Sequence, residues 1–180
     1  GFIQQVKKVI LNTSSCQVYI GLKKGESFDY IGDLLFTSEE PRYDSERLLS
    51  AEGRSRTFSV YYPDIRPGAN DYTVVASMNA RYGDWAPMSP DKYRTEKKRM
   101  EERTLVSLDK YIPGIREKID HIESATPLTF KRYTMHGGGS SFGTKFEGLN
   151  ISMKLHEQLS GLFHTGSAGI IMSGWLGAAN

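Results

Sequence analysis

The chain has 180 residues, 38% hydrophobic and 24% charged, with 23 Lys and Arg set against 21 Asp and Glu. That is enough for one or two compact domains, and a net charge of +2 argues against a nucleic-acid partner. The one basic run, Lys97-Lys98-Arg99, is interleaved with Glu96, Glu101 and Glu102, the pattern of a solvated helix face.

Phe2, Ile3, Val6, Ile10 and Leu11 recur at helical spacing and predict one short amphipathic helix, broken by Asn12-Thr13-Ser14-Ser15. Lys7-Lys8 interrupts these apolar residues, so they do not read as a signal peptide. A strand follows over Cys16–Leu22, and a second is expected over Tyr30–Phe36, with Gly32-Asp33 interrupting it. Cys16 is the single cysteine, which excludes an internal disulfide and fits a reducing compartment. Glu39–Arg54 is polar apart from Leu48-Leu49 and reads as a loop holding a short helix.

Thr57–Tyr62 and Tyr72–Met78 are β-branched and aromatic enough to be strands. The turn-rich linker between them, Pro63–Asn70, suits an antiparallel hairpin with a long loop. Ser89-Pro90 starts a helix, with Ser as N-cap and Pro at the first helical position. The helix runs from Asp91 to about Tyr111 and turns Tyr93, Met100, Leu105 and Leu108 inward. Pro113 ends it and opens a shorter helix with Ile115 and Ile119 inward. Ile122–Ala125 reads as extended, since Thr126 precedes Pro127. His136–Gly148 is a glycine-rich loop. The last residues, from Leu162 on, read as a short apolar strand, a glycine turn and the first turns of a small-residue helix near Ile171 that stops at Asn180. There is no internal repeat. The fold class expected is α+β: a mixed, largely antiparallel sheet with covering helices, plus a terminal strand–helix unit. The division expected is residues 1–134 and residues 135–180. No stretch approaches the roughly 20 apolar residues of a membrane-spanning helix, so a cytoplasmic protein is expected, with membrane contact at most peripheral.

Three motifs in the glycine loop invite chemistry. His136-Gly137-Gly138-Gly139 resembles an esterase oxyanion loop, and Gly139-Ser140-Ser141-Phe142-Gly143 formally matches a nucleophile elbow. An elbow needs a strand before its serine and a helix after it, whereas both motifs share one loop and no suitable Asp and His follow. Gly138–Lys145 is a near miss for a phosphate-binding loop, with Thr144 where the lysine belongs and without the flanking strand and helix. His121, His136, His156 and His164 lack metal-ligand spacing, so no metal is expected. The aromatic residues Phe58, Tyr61, Tyr62, Tyr72, Tyr82 and Tyr93 are mostly core candidates, although an aromatic sheet face could hold a flat apolar ligand. Trp85 belongs at a strand-to-helix junction, where packing is the default. No catalytic acid or base stands out.

Several pieces form an ordered series: Val18-Tyr19-Ile20-Gly21-Leu22, Tyr61-Tyr62-Pro63, Trp85 with Tyr93 and Lys97, and Tyr111-Ile112-Pro113-Gly114-Ile115. Ile122-Glu123-Ser124-Ala125-Thr126-Pro127-Leu128-Thr129, Arg132-Tyr133-Thr134, Gly139–Gly143 and Gly161-Leu162-Phe163-His164-Thr165-Gly166 continue it. Together they resemble the C-terminal part of the phytoene desaturase-related FAD-dependent oxidoreductases, which include carotenoid desaturases, carotenoid isomerases and retinol saturases. The resemblance covers nearly the whole chain and roughly a third of a typical member.

The resemblance implies that residues 1–134 belong to the substrate-binding domain, whose sheet roofs an apolar tunnel for a polyene, isoprenoid or other lipid. It implies that residues 135–180 are a linker loop and the closing strand–helix of an FAD-binding Rossmann-like domain. Thr165, Gly166 and Ser167 would then reach the ribityl-phosphate region, with Gly169, Ile170, Ile171 and Met172 at a helix N-terminus facing the flavin. That helix end would favour a reduced, anionic flavin. The G-x-G-x-x-G that cradles the pyrophosphate does not occur here, so the implied enzyme needs an N-terminal part of a parent chain, and these residues alone should be inactive. Ser167 stands where many such enzymes carry an acidic residue. Gly166–Gly169 lacks the proline-containing turn usual in bacterial phytoene desaturases, which leans toward the retinol-saturase-like or uncharacterised branch. Two other readings are a non-catalytic lipid-binding or interaction module and an amine-oxidising flavoenzyme. The latter would need an aromatic pair before Gly166, where Phe163 and His164 stand.

Overall fold

In the computed structural model, which describes residues 1–65, 70–141 and 143–164, the chain divides into two compact units. One is Ser15–Leu128; the other joins Gly1–Ser14 to the chain from Thr129 onward. The class is α+β, with one five-stranded antiparallel sheet.

The sheet belongs to the Ser15–Leu128 unit. Period-two alternation sets its strands: β1 (Ser14–Leu22), β2 (Leu34–Ser38), β3 (Ser55–Tyr61), β4 (Thr73–Ala80) and β5 (Ile119–Ala125), in spatial order β2-β3-β4-β1-β5. The β3–β4 pair is the antiparallel hairpin expected from the sequence, with Phe58 opposite Ala76 and Val60 opposite Val74. On one face Cys16, Val18, Ile20, Leu22, Phe58, Val60, Val74, Ala76 and Met78 are buried. The long helix α4 (Pro90–Asp109) buries Met100, Thr104, Ser107 and Leu108, the i, i+4, i+7, i+8 stripe of a core-facing helix. The Ser89 side chain caps it by accepting from the Lys92 N–H, as its sequence indicates. Ile112 and Ile115 complete the same core, the latter from α5 (Ile115–Lys118). The buried Thr104 hydroxyl is satisfied by donating to the Met100 carbonyl one turn back, at 2.8 Å. Arg56 is the one charged side chain on the buried face of β3. It lies 3.3 Å from Glu39, and burial pulls its guanidinium below the ordinary value while Glu39 opposes that.

Several boundaries differ from the sequence reading. The first helix, α1, spans only Phe2–Val6, because Leu11 leaves it to bridge Thr144. β2 starts at Leu34 rather than Tyr30: Gly32 takes φ +104°, and the Tyr62 hydroxyl pins the preceding segment by accepting from the Ile31 N–H and donating to the Gly32 carbonyl. The short helix expected within Glu39–Arg54 is α2 (Ser45–Leu48), capped by Asp44. Among the described residues four helices were not anticipated: α3 (Tyr82–Trp85), α6 (Pro127–Thr134), α7 (Phe146–Met153) and α8 (Leu155–Gln158). At α6, Pro127 starts a helix directly after the extended segment, the same position-one role that Pro90 plays in α4.

The second unit is held by hydrogen bonds between residues far apart in sequence. Asn12 N–H donates to the Gly143 carbonyl, Lys145 N–H to Ile10, and Ser141 N–H to Thr13. α7 lies close to α1, and Gly148 is required there: a Cβ would fall 2.8 Å from both Thr144 Cβ and Val9 Cγ1.

Candidate functional site: the open sheet face

The alternation that sends one set of side chains into the core sends the other to the opposite face. That face carries Leu34 and Phe36 from β2, Thr57, Ser59 and Tyr61 from β3, Thr73, Val75 and Ser77 from β4, and Gln17 and Tyr19 from β1. Register places Phe36 beside Thr57 and Thr57 beside Ser77, and Leu34 beside Ser59 and Ser59 beside Val75. None of these ten side chains carries a charge at neutral pH, and ionisable partners enter only at β5, where Glu123 pairs with Tyr19 and His121 with Gly21. Phe36 is 78% exposed and Leu34 55%, so this is an open surface and not a second core.

Across its centre runs one polar chain. Gln17 Nε2 donates to Ser77 Oγ at 3.3 Å, and the Tyr19 hydroxyl donates to Gln17 Oε1. Burial, with a further push from Glu123, raises the Tyr19 phenol above its ordinary value, so it stays a neutral donor. The surface therefore combines apolar area with hydroxyl and amide groups. It suits a flat or elongated apolar ligand with few polar atoms, and its acid–base groups among the described residues, Glu123 and His121, stand at the β5 edge. Its pattern was present in the strand alternation, but Gln17 and Ser77 become partners only through pairing of strands about sixty residues apart.

The other sequence candidates fall elsewhere. Phe58 and Tyr62 are core, and Tyr72 packs against that core, edge-on to Tyr62 with ring centroids 5.9 Å apart. Trp85 is buried at the end of α3, edge-on to Tyr93 at 5.9 Å, and its indole N–H has no hydrogen-bond partner among the described residues. The Tyr93 hydroxyl shares a hydrogen bond with Thr126 Oγ1 at 2.9 Å, and Lys97 Nζ sits 5.9 Å from the Tyr93 ring centre. This trio belongs to packing under α4.

In the glycine loop both hydroxyls that resembled nucleophiles are occupied. Ser140 Oγ is 1% exposed at the residue level and donates to the Gly143 carbonyl at 2.7 Å, and Ser141 Oγ donates to Thr13. His136 Nδ1 is 3.0 Å from the Ser140 carbonyl, facing no serine hydroxyl. Ser14 Oγ, also buried, donates to the Gly139 carbonyl. A short 3-10 turn (Gly137–Gly139) precedes the would-be elbow where a strand is needed. One expectation is corrected: α7 does follow the near-miss phosphate loop, with Lys145 at its N-cap, although no strand leads into it.

The implied flavin residues Thr165, Gly166, Ser167, Gly169, Ile170, Ile171 and Met172 lie outside the described residues. So does most of the terminal strand–helix; its described beginning, Leu162–His164, is neither helix nor strand. There Phe163 stacks on His156, 5.5 Å between centres and 11° between planes, and His164 Nδ1 lies 2.7 Å from Ser152 Oγ. Among the described residues no group of three or more His, Cys, Asp or Glu could hold a metal ion. Nor is any helix of these residues long and apolar enough to cross a membrane.

A small cleft of about 220 Å³ is lined by Glu39, Arg54, Glu102, Arg103 and Val106. Its charges are largely paired: Arg54 with Glu40 and Glu52, Glu102 with Arg116, Glu39 with Arg56. No protein-family model matches the chain, and no curated protein matches it in sequence.

Proposed function

We propose that this chain is the C-terminal part of an FAD-dependent oxidoreductase acting on an apolar, polyene or isoprenoid-type substrate, by desaturation, saturation or isomerisation of its carbon–carbon double bonds. The uncharged open face of the sheet carries this reading. A redox step on a hydrocarbon needs close orientation and exclusion of water more than it needs acid–base residues. A surface of Leu34, Phe36, Tyr61 and Val75 relieved only by neutral hydroxyl and amide groups provides the first of these. A bound flavin would supply the hydride exchange. The ordered motifs ending at Gly166, and no geometry described above, support its place near Thr165–Met172. The missing pyrophosphate cradle would come from the N-terminal part of a parent polypeptide.

The test is the visible absorbance spectrum of the purified parent polypeptide. A flavin spectrum that survives gel filtration is expected. A protein that stays colourless when supplied with FAD would sink the reading. It would leave the lipid-binding module, which the same open face suits, as the surviving account.

A further inference from the structure

The cleft of about 220 Å³ lies where Glu39 follows β2, where Arg54 precedes β3, and where α4 presents Glu102, Arg103 and Val106. It is too small for a polyene and holds the volume of about seven waters, the scale of one small polyatomic ion with part of its hydration. Its guanidiniums outnumber the carboxylates that answer them. Glu39 is taken by Arg56, Glu102 by Arg116 through both oxygens, and Glu40 and Glu52 by Arg54, with Arg47 sharing Glu40. Arg103 makes no ion pair among the described residues. Its Nη1 donates to the Glu52 carbonyl at 2.7 Å, which leaves Nε and Nη2 for another acceptor. Glu52 also sets Arg103 beside Arg54, since its carbonyl holds the first and its carboxylate the second.

Arg56 adds positive charge next to that wall. Its side chain is 1% exposed, and its Nε has no hydrogen-bond partner among the described residues. Its one carboxylate, Glu39, is a half-exposed wall of the cleft. Burial pulls the Arg56 guanidinium down, Glu39 opposes that, and Arg103 adds to the pull. A buried cation with one solvent-washed counter-charge and a like charge close by is stabilised by a second anion.

We propose that this cleft binds a small oxyanion, the phosphate or carboxylate group of a small molecule, on the free edge of Arg103 with Arg54 beside it. The planar guanidinium fork gives two parallel N–H bonds to such a group, and Nε with Nη2 is one such pair of donors. The carboxylates on the walls do not bar it, because Glu39 and Glu102 are each turned to an arginine of their own. The site uses none of the open-face residues and does not rest on the flavin reading.

Titration of the chain with inorganic phosphate, and separately with succinate, tests it. Calorimetry and thermal unfolding are the readouts, at an ionic strength held constant with chloride. Saturable heat is expected, with a Tm that climbs with anion concentration beyond anything chloride gives. Arg103→Ala should weaken binding at least about tenfold, and Arg103→Lys should recover only part of the loss, because an ammonium lacks the fork. Val106→Glu leaves every arginine in place and adds a carboxylate to the cleft wall at a half-exposed position, so it should also block the anion. It covers the case in which Arg103→Ala fails to fold. Tighter binding of phosphate points to a phosphoester ligand and tighter binding of succinate to a carboxylate, and either supports the site. No saturable response to either anion overturns the proposal. So does binding that survives both Arg103→Ala and Val106→Glu, which would mark an adventitious ion only.

Discussion

Cys16 shows how one side chain's chemistry is set by its place. It faces inward on β1 beside Val18 and Ile20, 3% exposed, and burial raises its thiol from 9.0 to about 12. The neutral thiol is a small hydrophobe there and the thiolate is disfavoured. Native protein at neutral pH should therefore resist a thiol-directed alkylating reagent, with labelling appearing only as the chain unfolds. Rapid labelling of the native state would show that β1 opens readily. The linkage sign follows from the raised value: below about pH 9 both states hold the proton and the contribution is fully present. Between there and about pH 12 the unfolded chain releases its proton first, so stability falls as the pH rises through that window. A Cys16→Ala chain should lose that part of the alkaline slope.

Helix α4 shows how much of an element can be read before its surroundings are known. Ser89-Pro90 fixed its start, and the apolar spacing picked out Met100 and Leu108, both buried. Thr104 and Ser107 were not marked because polar residues on an inward stripe look like solvent positions until their partners exist, as the Met100 carbonyl does for Thr104. The sheet strands were legible for the same reason, since alternation is a local signal. α7 was not: its Gly148 reads as a breaker, and of the two approaches that require it, Thr144 and Val9, the second comes from about 140 residues away. The candidate site was legible only in part, with Tyr19 visible in a motif and its Gln17–Ser77 partners hidden in strand pairing. The contrast within α4 can be measured. Leu108→Ala removes a fully buried side chain and should cost about 2–5 kcal/mol in chemical denaturation. Val106→Ala, at a half-exposed position two residues earlier, should stay within about 0.5 kcal/mol, since a helix favours losing a β-branched side chain. Equal costs would mean that α4 does not seat on the sheet as described.

At the scale of the molecule, the apolar core formed by the described residues lies within Ser15–Leu128: every residue of the buried cluster falls between Cys16 and Ile115. A chain cut to Ser15–Leu128 should therefore keep a cooperative thermal transition, followed by circular dichroism; a broad, non-cooperative melt would show that the core depends on the rest. The Ser14–Gly139 hydrogen bond spans 125 positions. On a ribosome residues 1–14 emerge before the sheet unit, and Ser14, Asn12 and Ile10 must wait for Gly139, Gly143 and Lys145 to be made. The sheet unit is synthesised whole in the interval and can fold during it. Residues 1–14 are thus translated before the sheet unit yet find their partners only after it is complete, and until then they are open to any chaperone that waits at the exit tunnel.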